Sequence, residues 1–333
     1  MDQSKIIKAP YMFAVDITND CNYRCLHCYN ASGENNTVNS QLTDTEIIAL
    51  FKDIASMHPQ SVCICGGEPL IKFDLVCKCA NILYKAGVKG IGMVSNGYFL
   101  TQERANILYK SHFNNVQISL DGSNSNSCYK LRRNKEAYNK AVEAIQYLKN
   151  AGFKNNAIAF CPTKWNIEEL KDVVKICKKL GVVEIRIQPL MIIGRGAENA
   201  ENIVPTAKQY IELLRTIEYF NQTEKDILLS WADPLDHLFR MQHYNRMATS
   251  YVTIKANGNI MVSPYLPISV GNIRRHSFNE YWNNGLSGVW NTKFIQDSVK
   301  KISCINDMVE NNGVKTWLDT DIEIDLIDDK NNF

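Results

Sequence analysis

Three cysteines, Cys21, Cys25 and Cys28, fall in the stretch CNYRCLHCYN with the spacing C-x3-C-x2-C. Thiolates are soft ligands that suit zinc or an iron–sulfur cluster. A closed zinc site wants four ligands. His27 lies within the motif, but it is adjacent to Cys28 and badly placed to reach the same ion. A [4Fe–4S] cube held by three cysteines accounts better for the missing ligand, because it leaves one iron open to a substrate or cofactor. The chain has 11 cysteines in 333 residues. An odd number in a long chain speaks against a disulfide scaffold. Cys63 and Cys65 alternate along an apolar run and so share one face. Cys77 and Cys79 are two apart in a helical pattern, where side chains do not face each other. A second metal site from these four is the weaker reading, and Cys128 and Cys177 read as packing residues.

These residues need elements to position them. Strand patterns cover Tyr11–Ile17, Ser61–Cys65, Gly90–Val94, Val116–Leu120, Ala157–Cys161 and Val183–Gln188. Helical patterns cover Thr43–Met57, Phe73–Ala86, Gln102–Lys110, Asn134–Asn150, Ile167–Leu180 and Pro205–Phe220. Six strands alternating with six helices predict an α/β fold with a parallel sheet and helices on its outer face. Six units are too few for an eight-fold barrel, so a partial (β/α)6 barrel is expected, with a doubly wound sheet as the alternative. The cysteines then follow strand 1, at the end where parallel barrels carry their chemistry. Beyond about residue 225 the rhythm changes. Asn257-Gly258 between two β-like runs signals a hairpin, and the acidic tail DTDIEIDLIDDKNNF reads as an edge strand or as disordered. The expected organisation is a barrel domain over 1–224 and a small α+β appendage over 225–333. A net charge of +2 gives no reason to expect nucleic acid or an anionic membrane as partner. With no signal-peptide core and no long apolar run, a cytoplasmic protein is expected.

The motif resembles the hallmark of the radical S-adenosylmethionine (SAM) superfamily, and Tyr29 follows the last cysteine as is frequent there. The resemblance continues at other strand ends: GGEPL at Gly66–Leu70, SNG at Ser95–Gly97, SLDG at Ser119–Gly122, IQPL at Ile187–Leu190 and GRG at Gly194–Gly196. It implies one [4Fe–4S] cluster on Cys21, Cys25 and Cys28. It also implies an amine-binding edge at Gly66, Gly67 and Glu68, and ribose or carboxylate contacts from Ser95, Asn96, Ser119 and Asp121. Arg132, or its neighbour Arg133, would face the SAM carboxylate, and Gln188 and Leu190 would flank the adenine. The implied activity is reductive cleavage of SAM to a 5′-deoxyadenosyl radical that abstracts hydrogen from a substrate. A low-potential electron donor of flavodoxin or ferredoxin type is the implied partner.

The C-terminal part resembles the SPASM/twitch group of peptide- and sugar-modifying radical SAM enzymes. Val270–Ile273 (VGNI) and Phe278–Trp282 (FNEYW) are present, but Ser263 stands where relatives carry a cluster cysteine, and Cys304 is the last thiol of this region. A SPASM-like shape without auxiliary clusters is therefore expected. The resemblance favours a ribosomally made peptide as substrate, crosslinked or epimerised. Strand 1 is reached by Tyr11, which leaves no room for an N-terminal leader-binding module, so the peptide would need a separate recognition protein or direct docking. The alternatives are a small-molecule enzyme acting on a sugar, nucleoside or tetrapyrrole precursor, and a non-catalytic cluster- or metal-binding protein. Cys161 and Cys304 are candidate thiols for returning a hydrogen atom to a substrate radical, and Tyr265 and Asp233 are candidates for the substrate cavity.

Overall fold

The structure is a computed structural model that describes residues 7–34, 41–233, 236, 238–239, 248–302, 307 and 322–329. In chain order the strands are β1 (Met12–Asp16), β2 (Ser61–Cys65), β3 (Gly90–Ser95), β4 (Asn115–Ser119), β5 (Ala157–Phe160), β6 (Glu184–Ile187), β7 (Leu228–Trp231), β8 (Tyr251–Ile254), β9 (Asn259–Ser263), β10 (Leu266–Asn272) and β11 (Ile322–Glu323). The first helices are α1 (Asp44–Ser56), α2 (Phe73–Lys85), α3 (Gln102–Lys110), α4 (Ser125–Arg132), α5 (Ala137–Ala151) and α6 (Leu170–Leu180). The fold is α/β with a mostly parallel sheet, as the strand–helix alternation predicts. No helix among the described residues is long and apolar enough to cross a membrane. The chain divides into two compact units. One comprises residues 1–20, 30–91 and 235–333, and the other residues 21–29 and 92–234.

In the first unit β1 pairs in parallel with β2 on one side and β8 on the other. The hairpin signal at Asn257-Gly258 is realised. β8 and β9 are antiparallel, and Gly258 takes the turn with φ +91°, a conformation open to glycine. β11 then pairs with β10, so this part of the acidic tail is an edge strand. Alternation sorts the two faces. Phe13, Val15, Val62 and Ile64 are buried on one face, where the Phe13 ring meets Phe278 of helix Phe278–Asn283 edge-on at 4.8 Å. α1 begins where Thr43 and Glu46 form a capping box, and Arg274 pairs with Glu46 at 2.6 Å.

The opposite face carries Asp16, which is buried and accepts a bond from Asn30 Nδ2 at 2.9 Å. Burial pushes its carboxyl up to about 6. Raising a folded-state pKa above the unfolded value makes ionisation oppose folding. The penalty is absent below about pH 4, grows as pH rises, and is complete above about pH 6. Replacing Asp16 by Asn should therefore leave stability near pH 4 unchanged and raise it at pH 7 by up to about 3 kcal/mol. Denaturation curves at the two pH values check this; equal shifts at both would contradict it.

In the second unit β3, β4, β5, β6 and β7 are parallel in that order. Val116, Ile118, Ile158, Phe160, Ile185 and Ile187 are buried, and so are Ala141, Ala144, Ile145 and Leu148 of α5 and Val173, Val174 and Cys177 of α6. α5 and α6 both end on glycine, Gly152 and Gly181, in the left-handed conformation. Two of the elements that the sequence did not reveal bear on this unit. β7 extends the parallel series beyond β6, and α4 fills the stretch between SLDG and α5. Cys128 is buried in α4. Burial pushes the thiols of Cys128 and Cys177 up to about 12, which suits their reading as packing residues.

Candidate active site

The cysteine loop is held by its own main chain. Leu26 N–H donates to Leu131 O at 2.9 Å, and Cys28 N–H to Cys25 O at 3.2 Å. Arg195 Nε donates to Cys25 O at 3.0 Å, Arg195 N–H donates to Cys28 O at 3.0 Å, and Asn199 Nδ2 reaches Leu26 O at 3.4 Å. Gly194 explains why the GRG segment needs glycine. Its φ is +56°, and a Cβ there would lie 2.4 Å from Tyr29 O and 2.7 Å from Cys28 O. Replacing Gly194 by Ala should push the loop out of place, at a cost of about 1–3 kcal/mol, and lower the iron retained per chain. Metal analysis with a circular dichroism control checks it; full iron retention would count against the cradle.

The thiols have contacts of their own, and Cys25 Sγ donates to Arg132 O at 3.8 Å. Cys21 Sγ accepts from Tyr23 N–H at 3.4 Å, the kind of bond that stabilises a cluster thiolate. Burial pushes the Cys25 thiol up to about 12, Arg132 pulls it down, and its neighbours Cys28 and Cys21 push it further up. Three thiols that oppose one another's charge fit a cluster that neutralises them.

Asp121 ties this unit together. It lies in the SLDG segment and is fully buried. Its Oδ2 lies 2.6 Å from an Arg132 terminal nitrogen and 3.3 Å from His27 Nε2, and its Oδ1 accepts from Cys161 N–H at 2.8 Å. Burial raises its pKa, but Arg132, His27 and the Cys161 N–H outweigh burial and hold the carboxyl well below the usual range. The His27 imidazole is thus turned toward Asp121. Arg132 is the last residue of α4 and only 7% exposed. Arg133 caps the helix in the left-handed conformation and lies over the Tyr129 ring, so Arg132 is the inward arginine of the pair. Arg132 Nε and His27 Nδ1 are buried without a hydrogen-bond partner. The Arg132 Nε–H donor fits an anionic group such as a carboxylate.

The other expected contacts fall as follows. Ser95 Oγ accepts from Gly97 N–H, and Asn96 Oδ1 accepts from Tyr98 N–H, each at 2.9 Å, so both side chains build the SNG turn. Asn96 Nδ2 also donates to Asn22 of the cysteine loop at 2.9 Å. Ser119 ends β4 half-buried. Gln188 Nε2 lies 3.6 Å from Met191 Sδ, while Leu190 is fully buried. Cys161 follows β5, and its thiol is pushed well up by burial and then by Asp121. In the other unit a Cβ on Gly66 would sit 2.4 Å from Thr18 O, and one on Gly67 2.3 Å from Asp20 O. Glu68 is fully buried and caps the following turn through Leu70 N–H at 3.0 Å. Ser263 is buried in β9, and its Oγ accepts from Tyr265 N–H at 3.2 Å. Cys304 lies outside the described residues. His27, Asn22, Arg195 and Asn199 were not assigned roles from sequence, although GRG marked the place of Arg195.

A three-cysteine loop after β1 and a buried Asp121–Arg132 pair thus stand together in an α/β fold. The radical SAM superfamily profile matches residues 15–177. An AdoMet-dependent heme synthase of Methanosarcina barkeri is 27% identical over 299 residues, 83% of each chain. The mycofactocin maturase MftC of Mycolicibacterium smegmatis is 31% identical over 209 residues, 62% of this chain and 51% of that one. SuiB of Streptococcus suis, solved with S-adenosylmethionine, superposes with a TM-score of 0.70 at 17% identity, covering 92% of this chain and 73% of that one. SuiB has also been solved with its precursor peptide SuiA, with a TM-score of 0.68. Residues 15–177 are a radical SAM superfamily domain, and the chain's relatives include a maturase and a heme synthase. Its cofactors are those of the superfamily, a [4Fe–4S] cluster and SAM.

Proposed function

We propose that the enzyme modifies a ribosomally synthesised peptide by hydrogen abstraction. The observation that carries this reading is the 31% identity to a maturase over 209 residues, 62% of this chain. The fold shared with a peptide-bound enzyme agrees with it. In this reading Cys21, Cys25 and Cys28 hold the cluster, and Arg132 meets the SAM carboxylate through the nitrogen that Asp121 leaves unengaged. Asp121 acts through Arg132 as a positioning residue. The bound cofactors supply a carbon radical strong enough to take hydrogen from an unactivated carbon. The protein's own part is to fix the cluster loop through Arg195 and Gly194, orient Arg132, and keep the Cys161 thiol protonated as a hydrogen-atom source. A flavodoxin- or ferredoxin-type donor and a separate leader-binding protein are the proposed partners. The segment 225–333 is proposed as a SPASM-like domain without clusters, since Cys304 is the sole cysteine after Cys177.

A second reading is a tetrapyrrole substrate. It is favoured by the heme synthase relative, which matches along more of the chain than the maturase does. One experiment separates the two. The reconstituted enzyme is incubated anaerobically in D2O with SAM, reductant and either candidate precursor peptides or iron tetrapyrrole carboxylates. Peptide that loses two hydrogens, or gains one deuterium, supports the maturase and distinguishes crosslinking from inversion. Turnover confined to the tetrapyrrole overturns it.

A further inference from the structure

Asn166 lies between β5 and α6 and is only 2% exposed. It precedes the short helical turn Ile167–Glu169, a position from which asparagine ordinarily caps the turn through its side-chain oxygen. Here the side chain makes no such bond. Its amide is engaged elsewhere. Nδ2 donates to Asp121 O at 2.9 Å and to Cys161 O at 3.0 Å. Oδ1 accepts from Thr163 N–H at 2.6 Å and from Thr163 Oγ1 at 2.8 Å. Both donors and both lone pairs are used, so the amide has one orientation.

The two carbonyls belong to residues that already touch, because Cys161 N–H donates to Asp121 Oδ1 at 2.8 Å. A ring closes from Asp121 O through Asn166 to Cys161 O, and back from Cys161 N–H to the Asp121 carboxylate. It joins the ends of β4 and β5 beyond the backbone bond from Leu120 N–H to Ala159 O. Asp121 is then held by its carbonyl and by one carboxylate oxygen, which leaves Oδ2 to meet Arg132 at 2.6 Å. The Cys161 peptide is held at both its N–H and its carbonyl. A carboxylate at position 166 could still accept from Thr163, but it would set a negative oxygen against two carbonyls.

We propose that Asn166 is a positioning residue for SAM binding, a role that rests on the proposed contact of Arg132 with the SAM carboxylate. It fixes the aim of the Asp121 carboxylate on Arg132, and it seats the backbone of Cys161 in the same act. Buried polar networks that are fully satisfied rigidify the groups they join. Asn166 therefore touches neither cofactor nor substrate and works through Asp121.

The test uses the full chain with its cluster reconstituted. The probe is SAM, and its dissociation constant is read by equilibrium dialysis without reductant. Asn166→Ala should weaken SAM binding at least about tenfold. Thr163→Val is the control. It removes a bond from the same amide but leaves both Nδ2 bonds, so it should lose stability in denaturant and keep the parent's affinity. Asp121→Asn joined to Asn166→Ala should bind SAM within about twofold of Asp121→Asn alone, since residues acting through one contact do not add. Full additivity, or an equal loss of affinity in Thr163→Val, would overturn the proposal and leave the amide a structural brace. Parent affinity in Asn166→Ala, with loss in Asp121→Asn, would overturn it while the reading of Arg132 stands. Parent affinity in Asp121→Asn would overturn both. Should Asn166→Ala fail to fold, Asn166→Asp, which keeps the Thr163 half, carries the same expectations.

Discussion

Replacing Cys21, Cys25 and Cys28 together by alanine will remove about four iron and four sulfide per chain and take 5′-deoxyadenosine release to background. The three thiols are the chain's one closely spaced trio, on a loop whose carbonyls are engaged by Arg195 and Asn199. Cys128 and Cys177 are packed in helices, and a single thiol, Cys304, follows Cys177 in the sequence. Iron and sulfide analysis after anaerobic reconstitution, with SAM cleavage assayed on the same sample, checks this. A triple variant that stays brown would mean that other thiols hold a cluster. Zinc in place of iron, with no cleavage in the parent chain, would refute the cluster assignment altogether.

The next largest effect is expected at Asp121. Changing it to Asn leaves the Arg132 guanidinium buried without its counter-charge. Breaking one side of a buried pair costs about 3–5 kcal/mol. The Asp121→Asn variant should therefore lose stability on that scale in denaturant titrations at pH 7, and its affinity for SAM should fall as Arg132 loses its orientation. Asp121→Asn combined with Arg132→Met should recover much of the stability but none of the affinity, which separates a positioning role from a purely structural one. The pH dependence has a definite sign. A folded-state pKa held below the unfolded value stabilises fully above about pH 4 and is lost as pH falls below it. A loss under about 1 kcal/mol at pH 7 would mean that the pair is not desolvated as the geometry has it.

Much of this arrangement was legible in the sequence. The strand at Ser61–Cys65 and the helix at Gln102–Lys110 have the predicted bounds, because the strand alternates regularly in burial and Thr101 caps the helix. α4 escaped notice because eight residues bury only Cys128, Leu131 and Arg132, too few to set a period. Its start was nevertheless marked by Asn124, which caps Asn126 and Ser127. β7 is four residues long with Leu228 exposed, so pairing with β6 rather than burial makes it a strand. The cysteines, GGEPL and SLDG could be read because each is a local motif. The His27–Asp121–Arg132 contact could not, since it joins three separate loops and helix ends that only the tertiary fold brings together.

The bracing of the cysteine loop has a consequence for how the enzyme matures. Zinc fingers gain their shape with their metal, so for them loading and folding are one event. Here Arg195, Asn199, Leu131 and Gly194 hold the loop by its peptide groups. None of these bonds needs a sulfur, so removing the thiols should leave them standing, and loading is expected to be separate from folding.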